Sequence, residues 1–381
     1  MNRLRTARRT GLAIAVLFCG ALVFGIWIFL SKRGNVVYDI AAATAATALP
    51  APWRATHIAT PQPLKALYMT SYVAGHSARR EALISLLDTS ELNAAVIDIK
   101  DYSGTIAFSV ENPILTAVDA SENRIPDIRE FIERLHEKGV YVIGRISVFQ
   151  DPKLAAYRPD WAVLRASDSV VWRDRKGLAW IDVGAREAWD YTVALAKESY
   201  ALGFDELNFD YVRFPSDGDM NDIAYPWSSG RVKSEVLGEF FSFLAQELKP
   251  TGAVISADLF GMTTTNKDDL NIGQVLEVAL KHFDYVAPMV YPSHYPTGFL
   301  GIQNPAAEPY RVIRYSLDRA WDRASTTPEK IRPWLQDFDL GADYTADMVR
   351  AQIQATYDAG FTSWMLWNPS NRYTQDALLT E

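Results

Sequence analysis

The chain of 381 residues has a single cysteine, Cys19, and only five histidines, His57, His76, His136, His282 and His294. One thiol closes no internal disulfide, so no covalent cross-link holds the fold. No H-E-x-x-H occurs, so a zinc peptidase or metal-dependent deacetylase lacks its ligands, and neither a catalytic metal nor another cofactor is expected. A G-x-S-x-G nucleophile elbow is also missing, which removes the common serine-hydrolase arrangement. No G-x-G-x-x-G follows any strand-like run, against a dinucleotide-binding sheet, and the absence of a glycine-rich phosphate cradle argues against phosphorylated metabolites. Positive charge is scarce beyond residue 33. Six basic residues lie in 1–33, leaving 32 basic against 46 acidic residues in the rest, a net charge of −14. Such a body is a poor partner for nucleic acid or anionic lipid.

One long apolar run is present. Arg3, Arg5, Arg8 and Arg9 precede an uncharged stretch from Gly11 to Leu30, closed by Lys32 and Arg33. Twenty residues at about 1.5 Å each span the roughly 30 Å hydrocarbon core of a bilayer. The basic flank predicts an N-in membrane anchor over 1–33, with the remainder in the periplasm or extracellular space. The alternative is a cleaved signal peptide, with the Ala-rich residues 41–48 as cleavage region and a secreted product. Residues 34–63, rich in Ala, Thr and Pro, read as a linker.

From residue 64 onward, short β-rich runs alternate with stretches of helical period, the pattern of parallel βα units. Strands are predicted at 66–72, 94–100, 140–148, 206–212, 253–259, 285–291, 332–338 and 362–367. Helices are predicted at 77–87, 125–138, 186–202, 234–248, 272–282, 309–322 and 345–359. Gly139, Gly203 and Gly360 follow three of these helices, where a left-handed residue closes the last turn. The sum is an α/β fold, a (β/α)8 TIM barrel with long βα loops over 64–381.

That architecture gathers chemistry at the C-terminal ends of its strands. Tyr72, Asp98, Lys100, Arg145, Asn208, Asp210 and Arg213 fall at or near those ends in the first half of the chain. Asp258, Tyr291, His294, Gln336, Trp367 and Asn368 do so in the second. The long loops at 149–185, 213–233, 260–271 and 292–308 carry Trp161, Trp172, Trp180, Tyr225, Trp227 and Tyr295, which are expected to wall a substrate cleft. The run Gly203-Phe204-Asp205-Glu206-Leu207-Asn208-Phe209-Asp210-Tyr211-Val212-Arg213-Phe214-Pro215 is the most telling segment. Strand residues two apart share a face, so Glu206, Asn208 and Asp210 point one way. An unpaired carboxylate on an inner face is costly unless it has a task.

Together with Gly144-Arg145-Ile146, Asp151-Pro152, Trp180-Ile181-Asp182, Pro288-Met289-Val290-Tyr291-Pro292-Ser293-His294-Tyr295, Trp334-Leu335-Gln336-Asp337-Phe338 and Trp367-Asn368, this run resembles the glycoside hydrolase family labelled DUF4015. The likeness spans residues 64–371 in order. It implies a glycosidase-like barrel with a catalytic carboxylate on the fourth strand, here Asp210, and raises the weight of Tyr291 and His294 as ligand contacts.

Glycoside cleavage needs two carboxyl groups, about 5–5.5 Å apart for retention and about 6.5–9.5 Å for inversion. Neighbouring strands lie about 4.8 Å apart, so Asp210 and Asp258 at adjacent tips can form such a pair. Asp210 is expected as nucleophile or charge stabiliser, kept ionised by Arg145 and Arg213, and Asp258 as general acid/base. Asp98 and Lys100 share a face and fit either an internal ion pair or a catalytic role. Glu206, four residues before Asp210, belongs at the barrel floor. Tyr72, Tyr291, His294 and Trp367 are placed to stack on sugar rings. The substrate class implied is a carbohydrate polymer. The competing function is a non-catalytic barrel that binds glycan or scaffolds an envelope assembly, with the same aromatic cleft and no productive acid pair.

Overall fold

The computed structural model describes residues 53–380, and its compact unit begins at Arg54. The expected anchor at 1–33 and most of the linker lie outside the described residues; within them no helix is long and apolar enough to cross a membrane.

Eight parallel strands close a barrel in chain order. They are β1 (Lys65–Met69), β2 (Ala94–Lys100), β3 (Tyr141–Ser147), β4 (Glu206–Asp210), β5 (Val254–Phe260), β6 (Tyr285–Met289), β7 (Trp334–Gln336) and β8 (Trp364–Trp367). Each falls within or beside a predicted run, most of them shorter, because pairing stops where the chain turns into a loop. The predicted helices are α1 (Ser77–Asp88), α2 (Ile128–Glu137), α3 (Arg186–Ala201), α4 (Lys233–Leu248), α5 (Leu276–His282), α6 (Pro309–Ala324) and α7 (Ala346–Asp358). Gly139, Gly203 and Gly360 follow α2, α3 and α7 with φ of 72°, 113° and 92°, conformations that only glycine adopts without strain.

Period-two alternation sorts the strands into two cores. Leu67, Ile97, Val142, Leu207, Ile255 and Leu366 face outward and are buried with Leu83, Phe131, Leu195 and Phe240 of the helices. Each such side chain removed from water contributes about 1.5–3 kcal/mol. Ala66, Tyr68, Val96, Tyr141, Ile143, Trp334 and Met365 fill the barrel interior. At its floor Glu206 accepts from Arg332 Nη2 at 2.6 Å and from the Tyr141 hydroxyl at 3.3 Å, as its strand position requires.

The end of the presumed linker is not free chain. Ile58 N–H donates to Asp205 Oδ1 at 2.8 Å, and the Thr60 hydroxyl donates to the Tyr141 hydroxyl at 3.0 Å. Asp205 is fully occupied, since its Oδ2 also pairs with His136 Nε2 and accepts from Val142 N–H, both at 2.8 Å. His57 stacks on Tyr200 with ring centroids 4.0 Å apart. A buried carboxylate just ahead of β4 thus fixes residues 57–60 to the N-terminal face of the barrel, which composition could not reveal.

Candidate active site

Inward side chains of β2 to β5 converge at the opposite, C-terminal rim on one guanidinium. Arg145 of β3 donates from Nη1 to Asp98 Oδ1 on β2 at 2.7 Å. It donates from both Nε, at 3.1 Å, and Nη2 to Asp210 Oδ2 on β4. The same Nε lies 3.9 Å from Asp258 Oδ2 on β5. With 3.1 and 3.9 Å to one shared nitrogen, these oxygens of Asp210 and Asp258 are at most about 7 Å apart, compatible with a glycosidase pair. The register explains the convergence: Arg145 is opposite Asn208, and Asn208 is opposite Ser256, so Asp210 and Asp258 follow at matching height.

One cation among three carboxylates leaves negative charge in excess. Burial pulls the Arg145 guanidinium down, but Asp210 and then Asp98 outweigh it and hold the group well above its ordinary value. Burial, and after it the charge of Asp210, raise the Asp258 carboxyl to about 8, against smaller opposing effects from Arg145, Asn208 and Trp334. Asn208 Nδ2 and Trp334 Nε1 both donate to Asp258 Oδ1, at 2.9 and 2.8 Å, which leaves Oδ2 as the oxygen able to carry a proton. Burial also raises Asp98, offset by Arg145 and by the Tyr68 hydroxyl, which donates to its Oδ2 at 2.6 Å.

The fourth strand ends in strain. Tyr211 has φ of 52°, a left-handed conformation that costs a non-glycine residue about 1–2 kcal/mol. Its N–H donates to Asp210 Oδ1 at 2.6 Å, so each oxygen of Asp210 is engaged. Above the carboxylates opens a cavity of about 540 Å³ whose walls include Arg213, Tyr291, His294 and Trp367. Trp367 stacks on Tyr68 at 3.8 Å and lies 5.0 Å from the Arg145 guanidinium, while Tyr291 meets His294 edge-on at 5.3 Å.

Other expected contacts are elsewhere. Lys100 is separated from Asp98 by an irregularity in β2, where Asp98 and Lys100 oppose the consecutive residues Arg145 and Ile146. The extra residue reverses the alternation. Lys100 therefore leaves the barrel interior, and its Nζ pairs with Asp151 Oδ2 at 2.5 Å in full burial, 5.1 Å from the Tyr191 ring on α3. Tyr72 sits on the one-turn helix Ser71–Ala74, 64% exposed, with Arg124 stacked 4.2 Å over its ring. Gln336 accepts from Ser293 N–H and donates to Phe338 O, and Asn368 bridges to Asp337 O and Arg372 O, so both brace loops. Asn208, 1% exposed, supports Asp258 from below the cleft. Arg213 pairs with no carboxylate among the described residues, including Asp210. Of the loop aromatics, Trp161, Trp172 and Trp180 are buried beneath their loop, and Tyr295 alone reaches the cavity wall. Tyr68 and Trp334 have no role assigned from the sequence, although Tyr68 bonds Asp98 and Trp334 bonds Asp258.

Among the described residues, no group of three or more His, Cys, Asp or Glu side chains is arranged to hold a metal ion. The family model DUF4015, described as "Putative glycosyl hydrolase domain", matches residues 66–373. The chain belongs to this family. No curated protein matches it. Among solved structures, the glycoside hydrolase domain of PgaB (BpsB) from Bordetella bronchiseptica is 16% identical with a TM-score of 0.61, covering 84% of this chain and 99% of that one. The α-galactosidase TtGalA from Thermus thermophilus is 15% identical with a TM-score of 0.51, covering 85% and 61%. A hypothetical protein from Ruminiclostridium thermocellum is 32% identical over 50% of this chain and 96% of that one, with a TM-score of 0.47. At these identities the first two establish the barrel that this DUF4015 member shares with glycoside hydrolases.

Proposed function

We propose that the chain hydrolyses glycosidic bonds of an envelope or extracellular polysaccharide, with Asp210 and Asp258 as the working pair. The observation that carries this reading is the asymmetry between two neighbouring carboxyls. Asp210 is bonded twice by Arg145, whereas Asp258 is raised to about 8 and has one oxygen free for a proton. Asp258 protonates the leaving oxygen as the anomeric C–O bond breaks, and Asp210 takes the anomeric carbon or stabilises its charge. Water then adds to that carbon and returns its proton to Asp258. Tyr291, His294 and Trp367 supply stacking surface for the sugar rings. Family membership and the glycoside hydrolase fold neighbours support the assignment.

The arginine-rich flank and the apolar run from Gly11 to Leu30 support a membrane tether with the barrel outside the cytoplasm. A C-terminal reporter active only in the cytoplasm would overturn the orientation, and a mature N-terminus after Ala48 would make the product secreted.

The deciding experiment incubates the full chain with defined bacterial polysaccharides and reads products by mass spectrometry. Asp210→Asn should keep the fold and lower turnover by several orders of magnitude. Glycan binding without cleavage in any polymer would replace this reading with the binding barrel.

A further inference from the structure

Arg213 meets Asp210 only through space, and among the described residues no carboxylate touches it, so it is a buried cation without a paired counter-ion. It is 9% exposed, three residues beyond Asp210, on the cleft wall. Its guanidinium lies 4.7 Å from the ring centres of both Trp180 and Phe260, and 5.4 Å from that of Tyr211. Nη1 donates to Phe214 O at 3.0 Å and to Ser216 Oγ at 3.1 Å, while Nε and Nη2 have no protein partner among the described residues. Burial pulls this group below its ordinary value, against partial offsets from Tyr211 and Asp210, the reverse of Arg145.

The acids nearby do not serve it. Asp174 spends its oxygens on the N–H groups of Lys176 and Leu178 and on Trp180 Nε1. Asp217 is exposed at the rim and pairs with neither Arg213 nor Lys176. Lys176, also exposed on that wall, adds a second uncommitted cation. A desolvated guanidinium is expensive to keep unpaired, and its planar fork suits a carboxylate or sulfate better than a hydroxyl.

We infer that the glycan taken by this cleft is acidic, its ring carboxylate or sulfate seated on Arg213 with Lys176 at the entrance. This rests on the glycoside hydrolase reading above and narrows it to uronic-acid or sulfated polysaccharides. Trp180 and Phe260 lie against the guanidinium, and its unpartnered Nε and Nη2 are left to the anion.

The test measures binding and turnover by the full chain, in detergent at low salt, with oligogalacturonate, a sulfated carrageenan oligosaccharide, and neutral chitohexaose and cellohexaose. At least one acidic oligomer should bind about tenfold or more tightly than either neutral one, the worth of one charge-assisted hydrogen bond. Arg213→Met should erase that preference by raising KM for the acidic oligomer about tenfold or more relative to any change for the neutral ones. Lys176→Met, at an exposed position that does not threaten the fold, should reduce it less. Equal or tighter neutral binding overturns the inference on the wild-type chain alone, and so does an Arg213→Met loss shared by both series. Cleavage of neutral glycans without acid preference would overturn this inference and leave glycoside hydrolysis standing. Tight acid binding without cleavage would do the opposite.

Discussion

At the scale of single residues, Asp258 offers the sharpest tests. Its folded value of about 8 lies above the ordinary 3.8, so the folded chain holds a proton that the unfolded chain releases. The stability this group contributes is complete at low pH and drains as the pH rises through the interval between those values. Asp258→Asn should therefore raise the melting temperature more at pH 9 than at pH 5, as differential scanning fluorimetry would show. In wild type, kcat/KM should fall about tenfold per pH unit above about 8 as the acid loses its proton. Asp258→Asn should lack that limb and recover partly on substrates with good leaving groups. Trp334 Nε1 favours the charged carboxylate, so Trp334→Phe should move the limb to higher pH. Asp210 and Asp258 were legible because strand parity and adjacency fix their side and height. Trp334 was not, because its indole crosses the barrel interior to reach β5, and no local pattern encodes that span.

At the scale of elements, the irregularity in β2 decides what Lys100 does. A substitution that keeps its stem and removes its charge, Lys100→Met, leaves Asp151 buried and unpaired, a loss of about 3–5 kcal/mol. Urea unfolding should show that loss, and KM of the folded enzyme should stay put; a higher KM with unchanged stability would instead return Lys100 to the substrate. Gly144 makes a second case. A Cβ there would stand 2.2 Å from Ile99 Cδ1 and 2.8 Å from Phe204 Cδ1, so Gly144→Ala must push aside the side chain of Ile99, the residue inserted in β2. A cost of about 1–3 kcal/mol is expected by the same measurement, as for overpacked cores. Among the described residues, all eight strands could be read from β-rich runs and the seven longest α-helices from their period, since both follow from which faces meet a core; the short helices Ser71–Ala74, Pro113–Thr116 and Pro152–Tyr157 could not. The one-residue insertion could not be read, because it changes no composition and reverses a face only through its partner strand.

At the scale of the whole molecule, the strap that residues 57–60 form at the barrel floor was illegible because Pro and Ala content describes a linker equally well. Deleting it from the full chain removes the Ile58 N–H donor to Asp205 Oδ1 and the Thr60 donor to the Tyr141 hydroxyl, which keeps its bond to Glu206. Stability should fall by about 1–3 kcal/mol, the cost of leaving buried polar groups unsatisfied, with KM unaffected. A change in KM would show that the strap acts on the distant cleft. The far end of the domain obeys the same geometry. Glu91, just ahead of β2, donates its N–H to Leu379 O at 2.9 Å and accepts from Leu379 N–H at 3.0 Å. Residues 58 and 379 are thus both stitched to the floor, and neither crosses the rim. The described barrel is consequently gripped like a cup by its base: Ile58 and Leu379, near the two ends of the described chain, bond at the floor and leave the mouth to the loops that follow the strands.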